Sequence, residues 1–381
     1  MKQFISAAIL ATLVAVPAFA QDTVKIGMIA PLTGQFTVVG QEMQGAAKVY
    51  LQHHGNLLAG KEINLIVKDD GGVPDASKRL AQELIVNEKV KFVVGMGLTP
   101  IALAIAPLVT QAKVPLVVMG AATSTIPAAS PFIVRSSFSV PQNISVAGDY
   151  FAKQGVKNVV TIVSDYAPGV DTEIAFQKAF EAAGGKVIAA LRVPLANPDF
   201  SPFLQRAADA KPDALFIFVP SGQGATLLRQ FKERALDKSG IKLLATGDVL
   251  DDQQLDQIGD VALGVVSAYH YSDLHPSELN KKFTADFEKM TGFRANMMGV
   301  GAYDGMALIA KALEKAGTAE GPKLVEAMKG LAWESPRGPV SIDPQTRDIV
   351  QNVYLRRVEK VGDRLGNVEF STYPNVKDPS K

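Results

Sequence analysis

Two clusters, Gly97-Leu98-Thr99 and Ala121-Ala122-Thr123, are the residues of this sequence best suited to chemistry. Each follows a short apolar run, Phe92 to Val94 and Val114 to Val118, that reads as a buried strand, and a helix is expected to start near Thr99. In an open parallel α/β sheet, ligands bind just beyond the carboxyl ends of the strands, where backbone N–H groups and a helix N-terminus face an anion. The two clusters together are a candidate cradle for an anionic head group.

Catalytic and metal chemistry have no comparable pattern. The sequence contains no G-x-S-x-G elbow, no G-x-x-x-x-G-K-[ST] loop and no H-E-x-x-H helix. Gly95-Met96-Gly97 is half a dinucleotide fingerprint with Pro100 where the third glycine belongs, so a nucleotide cofactor is disfavoured and no cofactor is expected. His53 and His54 are adjacent, point to different sides of a helix, make a poor metal pair, and are expected at the surface. His270 and His275 flank a chain crossing. Asp69-Asp70 precede two glycines and read as a solvated turn rather than as paired carboxylates.

The elements that must position the clusters alternate. Val24 to Ala30 is an expected strand, Gly40 to His53 a helix, Glu62 to Lys68 a strand and Pro74 to Asn87 a helix, and Phe132 to Arg135 is a short strand. Ser136 to Pro141 has turn composition. The pattern then restarts, with strands 158–163, 186–193, 214–218, 241–245 and 264–268 separated by helices 171–183, 202–210, 222–235 and 253–258. Such alternation argues for parallel sheets with right-handed crossovers in two similar halves. From Pro276 the chain turns helical, then ends in the expected strands Val340 to Ile342 and Ile349 to Arg356. Three crossings between the halves are expected, near 137–141, 267–271 and 340–343, which assigns 21–138 plus 268–341 to lobe I and 139–267 plus 342–381 to lobe II. A triple hinge of this kind permits closure around a ligand.

Six loops at strand ends then face one cleft: Gln35 and Phe36, Gly97 to Thr99 and Ala121 to Thr123 from the first half, and Tyr166 and Pro168, Pro220 and Ser221, and Asp248 from the second. Each residue alone also fits a plainer role: Thr99, Thr123 or Asp248 as a helix cap, Tyr166 as a shield over a turn.

Bulk properties narrow the partners. The chain of 381 residues carries 39 basic and 38 acidic side chains and no cysteine. That balance, without a basic block, argues against nucleic acid, and the missing thiols exclude disulfides and thiolate metal sites. Lys2, the apolar run Phe4 to Pro17 and Ala18-Phe19-Ala20 before Gln21 fit a cleavable signal peptide, leaving a soluble mature chain of a size that expects two domains.

The run KIGMIAPLTGQFTVVGQEMQGAAKVY resembles the opening of the branched-chain amino-acid-binding family of periplasmic solute receptors. The Gly-x-x-x-[ST] turn Gly95 to Thr99, Val114-Pro115-Leu116, Ala121-Ala122-Thr123 and Tyr303-Asp304 are similar to that family too, in order along nearly the whole mature chain. The resemblance implies two Rossmann-like α/β lobes joined by three hinge strands, the type I periplasmic binding fold. It further implies a monomeric, non-enzymatic receptor that delivers a small solute to an ABC-type permease in the inner membrane. Carried over, the carboxylate-binding turn falls on Gly97, Leu98 and Thr99 with Ala121 and Thr123 beside it, and Asp248 occupies the position that accepts a ligand ammonium. Two departures remove hydroxyls: Leu98 replaces a small hydroxyl residue, and Pro168 replaces the tyrosine of the Asp-x-x-Tyr-Gly turn. An ammonium needs full hydrogen bonding when buried, so a carboxylate with an aromatic body is expected ahead of a branched-chain amino acid. The turn Asp-Tyr-x-Pro-Gly-x-Asp also looks like the aromatic-acid subgroup, in which Asp248 would accept a ring hydroxyl and Tyr166 would stack on the ring. A sensing module of a signalling receptor would share the fold, and a hydrolase or dehydrogenase would need a base or cofactor loop that the sequence does not show.

Overall fold

The computed structural model describes residues 23–381; the expected signal peptide and its cleavage point lie outside them. The first sheet contains Thr23–Ala30 (β1), Leu57–Leu58 (β2), Lys61–Asp69 (β3), Phe92–Gly95 (β4), Leu116–Val118 (β5) and Ile133–Arg135 (β6), in the order β2-β3-β1-β4-β5-β6. All its pairings are parallel except β2 with β3. Helices Thr37–His54 (α1), Pro74–Val86 (α2) and Thr99–Ala112 (α3) follow β1, β3 and β4.

Burial explains the layering. Along β1 and β4, Ile26, Met28, Phe92 and Val94 join a core with Met43, Phe287 and Met306, while Ile29 and Val93 join one with Leu84, Ile101 and Ile105. Helices cover both faces, so the strands are apolar on both sides, as parallel sheets require. Glycine decides the fit at one point. The strand-end loops cross so closely that a Cβ on Gly120 would sit 3.1 Å from Cα of Gly97.

The chain enters its second half through Val140–Lys153 (α4), a helix that begins within the expected turn Ser136 to Pro141 and runs on through a stretch given no element from sequence. Ser139 and Gln142 form a capping box and Pro141 sits in the first turn, signals of a helix start rather than of a loop. The second sheet consists of Asn158–Ser164 (β7), Lys186–Val193 (β8), Ala214–Phe218 (β9) and Lys242–Ala245 (β10), ordered β10-β9-β7-β8 and parallel throughout. Ala167–Ala182 (α5), Ser201–Asp209 (α6), Gly224–Glu233 (α7) and Leu255–Ile258 (α8) connect and flank these strands. Phe176 on α5 stacks on Phe216 of β9 at 3.7 Å between centroids.

A third, antiparallel sheet was not anticipated. It joins Val266–Tyr269 (β11), Ala332–Ser335 (β12), Gly338–Ile342 (β13), Ile349–Val361 (β14) and Arg364–Val376 (β15) in the order β11-β14-β13-β12, with β15 against β14. Glu278–Thr291 (α9), Met297–Ala316 (α10) and Gly321–Met328 (α11) lie between β11 and β12, and α10 packs on α1. Among the described residues no helix is long and apolar enough to cross a membrane.

Where these sheets meet, buried charged groups sit among the apolar side chains. Arg135, Arg337 and Arg356 are fully buried. Arg337 donates to the carbonyls of Ser136 (2.5 Å) and Ser137 (2.7 Å) and pairs with Asp304 at 2.6 Å. Two surface expectations are corrected here. His53 is 5% exposed at its side chain because Asp286 of α9 and the Tyr303 hydroxyl of α10 hold its two ring nitrogens at 2.8 and 3.0 Å. Asp70 is buried, accepting from Ser77 and from the Gly72 N–H, whereas Asp69 is the exposed member that ties the Leu32–Thr33 turn.

Candidate ligand-binding site

A cavity with about 430 Å³ of space not filled by protein atoms, including its mouth, opens between the carboxyl ends of the first and second sheets. Eleven of the residues singled out from sequence line it: Phe36, Gly97, Leu98, Thr99, Ala121, Ala122, Tyr166, Pro168, Pro220, Ser221 and Asp248. Two do not. Gln35 is exposed, and Thr123 stands behind the wall with its hydroxyl 3.0 Å from that of Thr99. Val39, Gly120, Phe138, Phe218 and Met298 also line the cavity, without having been foreseen.

The first-sheet wall is largely apolar, and its donors gather at Thr99, since Pro100 has no N–H and the Ala121 N–H is bonded to the Met96 carbonyl at 2.8 Å. Leu98 takes the N-cap position of α3 with extended backbone, and Thr99 opens the helix, so the plain capping role does not apply to Thr99. The first N–H groups of a helix have no intrahelical partner and carry its positive end. Thr99 and Thr123 are both buried and share one hydrogen between their hydroxyls, which leaves the second hydrogen of the pair to donate. Behind them Arg135 donates to the carbonyls of Thr123 (2.8 Å) and Ala121 (3.4 Å) and makes a forked pair with Asp348, both contacts 2.6 Å. The loop carrying Ala121 to Thr123 is therefore held from below by a buried ion pair.

The second-sheet wall is aromatic with one acid. Tyr166, extended at the N-cap of α5, stacks on Phe218 with ring centroids 6.2 Å apart. Phe138 is backed by His270, stacked at 4.4 Å; burial pushes that imidazole well below its ordinary pKa and keeps it neutral. Asp248 does not cap α8, whose N-cap is Gln254. Burial pushes its carboxyl up to about 7, opposed by the hydrogen bond it accepts from Tyr269 at 3.0 Å. The cavity lining contains no lysine, arginine or histidine. Among the described residues, no group of three or more histidines and carboxylates is placed to hold a metal ion.

Two α/β sheets whose strand ends face each other across a cavity define the class of type I periplasmic binding proteins. A sequence model described as periplasmic binding protein matches residues 23–363, and this chain belongs to that family. It is a periplasmic solute-binding protein. It is 55% identical to a solute-binding protein of an ABC transporter from Rhodopseudomonas palustris BisB5 solved in complex with 3,4-dihydroxybenzoic acid; the match covers 94% of this chain and 99% of that one, with a TM-score of 0.93. A solute-binding protein from R. palustris in complex with 4-hydroxybenzoate is 43% identical, with a TM-score of 0.91 over 94% and 99% of the two chains. The Leu/Ile/Val-binding protein homolog 6 of Brucella melitensis biotype 1 is 42% identical across 100% of this chain and 99% of its own.

Proposed function

We propose that this protein is the non-enzymatic solute receptor of an ABC importer and that its ligand is a small aromatic carboxylate. The observation that carries this reading is the cavity lining. Four aromatic rings, Phe36, Phe138, Tyr166 and Phe218, surround a space with a hydroxyl and helix terminus on one wall and a single acid on the other. A carboxylate suits the Thr99 wall, where charge-assisted hydrogen bonds need no buried cation. A flat ring suits the aromatic flanks.

The name shared by the Brucella relatives favours a branched-chain amino acid instead. An ammonium presents three donors and no acceptor. Leu98 and Pro168 narrow the acceptors available to it, and burying an under-bonded ammonium is costly. The hydroxybenzoate complexes of the similar Rhodopseudomonas proteins support the aromatic choice.

In this reading residues 21–138 with 268–341 and residues 139–267 with 342–381 are lobes that close as a population shift, because the ligand touches both walls. Thr123 supports Thr99 from behind and Gln35 lies at the rim. The receptor acts as a monomer, without nucleic acid, and hands its ligand to an inner-membrane permease after signal cleavage at Ala20/Gln21.

A thermal-shift panel on protein freed of co-purified ligand tests the proposal. At 100 times Kd a ligand adds about 2.7 kcal/mol, which raises the midpoint by several degrees. Benzoate or 4-hydroxybenzoate should produce that shift; a shift with leucine and none with the aromatic acids would overturn the ligand class.

A further inference from the structure

Glu42, on α1, is 1% exposed, and neither of its carboxyl oxygens has a hydrogen-bond partner. An ionised carboxylate there would lose its hydration with nothing in exchange, which is costly. The charged group that acts on it has the same sign. It is Asp251, in the loop after β10, which is 2% exposed.

Asp251 is the accepting member of this pair. It takes hydrogen bonds from the Ser221 hydroxyl, from the Gln253 N–H at 3.0 Å and from Asn296 Nδ2 at 3.1 Å to each oxygen. Backbone and amide N–H groups only donate, so these partners favour a carboxylate. Burial, and then the charge of Asp251, push Glu42 well above the usual carboxylate range, opposed by the Asn296 amide. The proton of the pair therefore resides on Glu42.

Other charges near α1 are engaged elsewhere. On β1, Lys25 pairs with Glu88, and on α1 itself Lys48 is exposed. Both α9 and α10 pack on α1, but Asp286, Lys282 and Tyr303 gather around His53, and Asp304 acts on Tyr50, toward the far end of the helix. Around Asp251 stand Asp248, of like sign, and Arg356, of opposite sign.

The pair borders the cavity and spans its two walls. Val39, one turn before Glu42, Met298, just after Asn296, and Ser221, bonded to Asp251, all line the cavity. Glu42 and Asn296 belong to the segments of lobe I, and Asp251 to those of lobe II.

Resting on the reading of two lobes that close on a solute, we propose that closure brings Glu42 against Asp251 around one proton, so that the receptor takes a proton from solvent as it captures its ligand and returns it on opening. Parting the walls carries Asp251 away and admits water to Glu42, and a solvated glutamate ionises near about pH 4.3. The proton then favours the closed form: its contribution is whole below about pH 4 and is lost as pH rises.

Calorimetric titration of the ligand-free protein with 4-hydroxybenzoate and, in parallel, with leucine tests this, from about pH 5.5 to 8 in buffers of unlike ionisation heat. Closure is what is read, so either solute serves. The wild type should take up more protons per ligand than Glu42→Gln, by close to one. Glutamine is neutral at every pH, so Glu42→Gln should bind more tightly than the wild type, by a margin that widens by up to about tenfold per pH unit. Asp251→Asn removes the facing charge but not the burial, so its affinity should stop declining at a lower pH than that of the wild type. A merely structural Glu42 would instead weaken binding in Glu42→Gln by the same factor at every pH. That result, or equal proton uptake by the two proteins, overturns the proposal and leaves the receptor reading standing. Binding of leucine alone overturns the aromatic choice and leaves this comparison intact, whereas binding of neither solute overturns the small-carboxylate reading and this inference with it.

Discussion

Tyr269, at the end of β11, donates its phenolic hydrogen to Oδ1 of Asp248 across 3.0 Å, and Gly247 is what lets the two meet. A Cβ at position 247 would fall 2.1 Å from the tyrosine ring. On another side of the ring the Arg356 guanidinium lies 4.9 Å from its centroid. The acid of the cavity is thus oriented by a residue that does not line it.

Gly247→Ala should separate this pair. The added methyl cannot be accommodated without moving the Tyr269 ring, and overpacking of this kind costs about 1–3 kcal/mol. Urea unfolding should show that loss, and ligand affinity should fall with it. Unchanged stability would mean that the ring has room the geometry does not show.

Asp248 should also make stability depend on pH. Its folded pKa, about 7, is raised above the ordinary carboxylate value. Folding therefore favours the protonated acid: the contribution is whole below about pH 4 and is lost as pH rises toward 7. Asp248→Asn carries no such cost, so it should gain on the wild type between pH 4.5 and about 7.5 in denaturant unfolding of the ligand-free protein, by roughly 4 kcal/mol at most for a shift of about three units. Tyr269→Phe removes the hydrogen bond that restrains the shift and should carry the decline to higher pH. A stability difference independent of pH would refute the assignment.

Much of the first-sheet wall is legible in the sequence because its logic is local. Gly97 to Thr99 and Ala121 to Thr123 follow buried strands directly, and small residues at strand ends announce a close backbone approach. Phe138 and Met298 are not legible in that way. They enter from the segment before α4 and from the first turn of α10, and only the packing of distant elements brings them to the cavity. His53 misleads for the same reason: its partners Asp286 and Tyr303 are more than two hundred residues away. The α4 helix, by contrast, carried its signal in Ser139, Pro141 and Gln142, and the serine-rich composition around it masked the capping box.

Arg135 and Asp348 offer a test of what holds the Thr123 loop. Both side chains are almost fully buried. Removing one partner of such a pair strands a buried charge and costs about 3–5 kcal/mol, whereas replacing both with apolar residues is much milder. Arg135→Leu alone should therefore destabilise more than Arg135→Leu with Asp348→Leu in thermal or urea unfolding. Equal losses would show that the arginine acts through packing alone.

Thr99→Val keeps the shape of the side chain and removes its hydroxyl. A hydrogen bond to a charged group contributes about 1.5–3 kcal/mol, so affinity for an aromatic carboxylate should drop by roughly ten- to a hundredfold. The titration should show this as a weaker Kd at unchanged stoichiometry. An unaltered Kd would remove Thr99 from the anion site.

The most direct test is a crystal structure of the protein grown with 4-hydroxybenzoate. One molecule should lie in the cavity between the sheets, its carboxylate within hydrogen-bond distance of the Thr99 hydroxyl and its ring hydroxyl on Asp248. A carboxylate at the Asp248 wall, or a ligand bound outside this cavity, would contradict it.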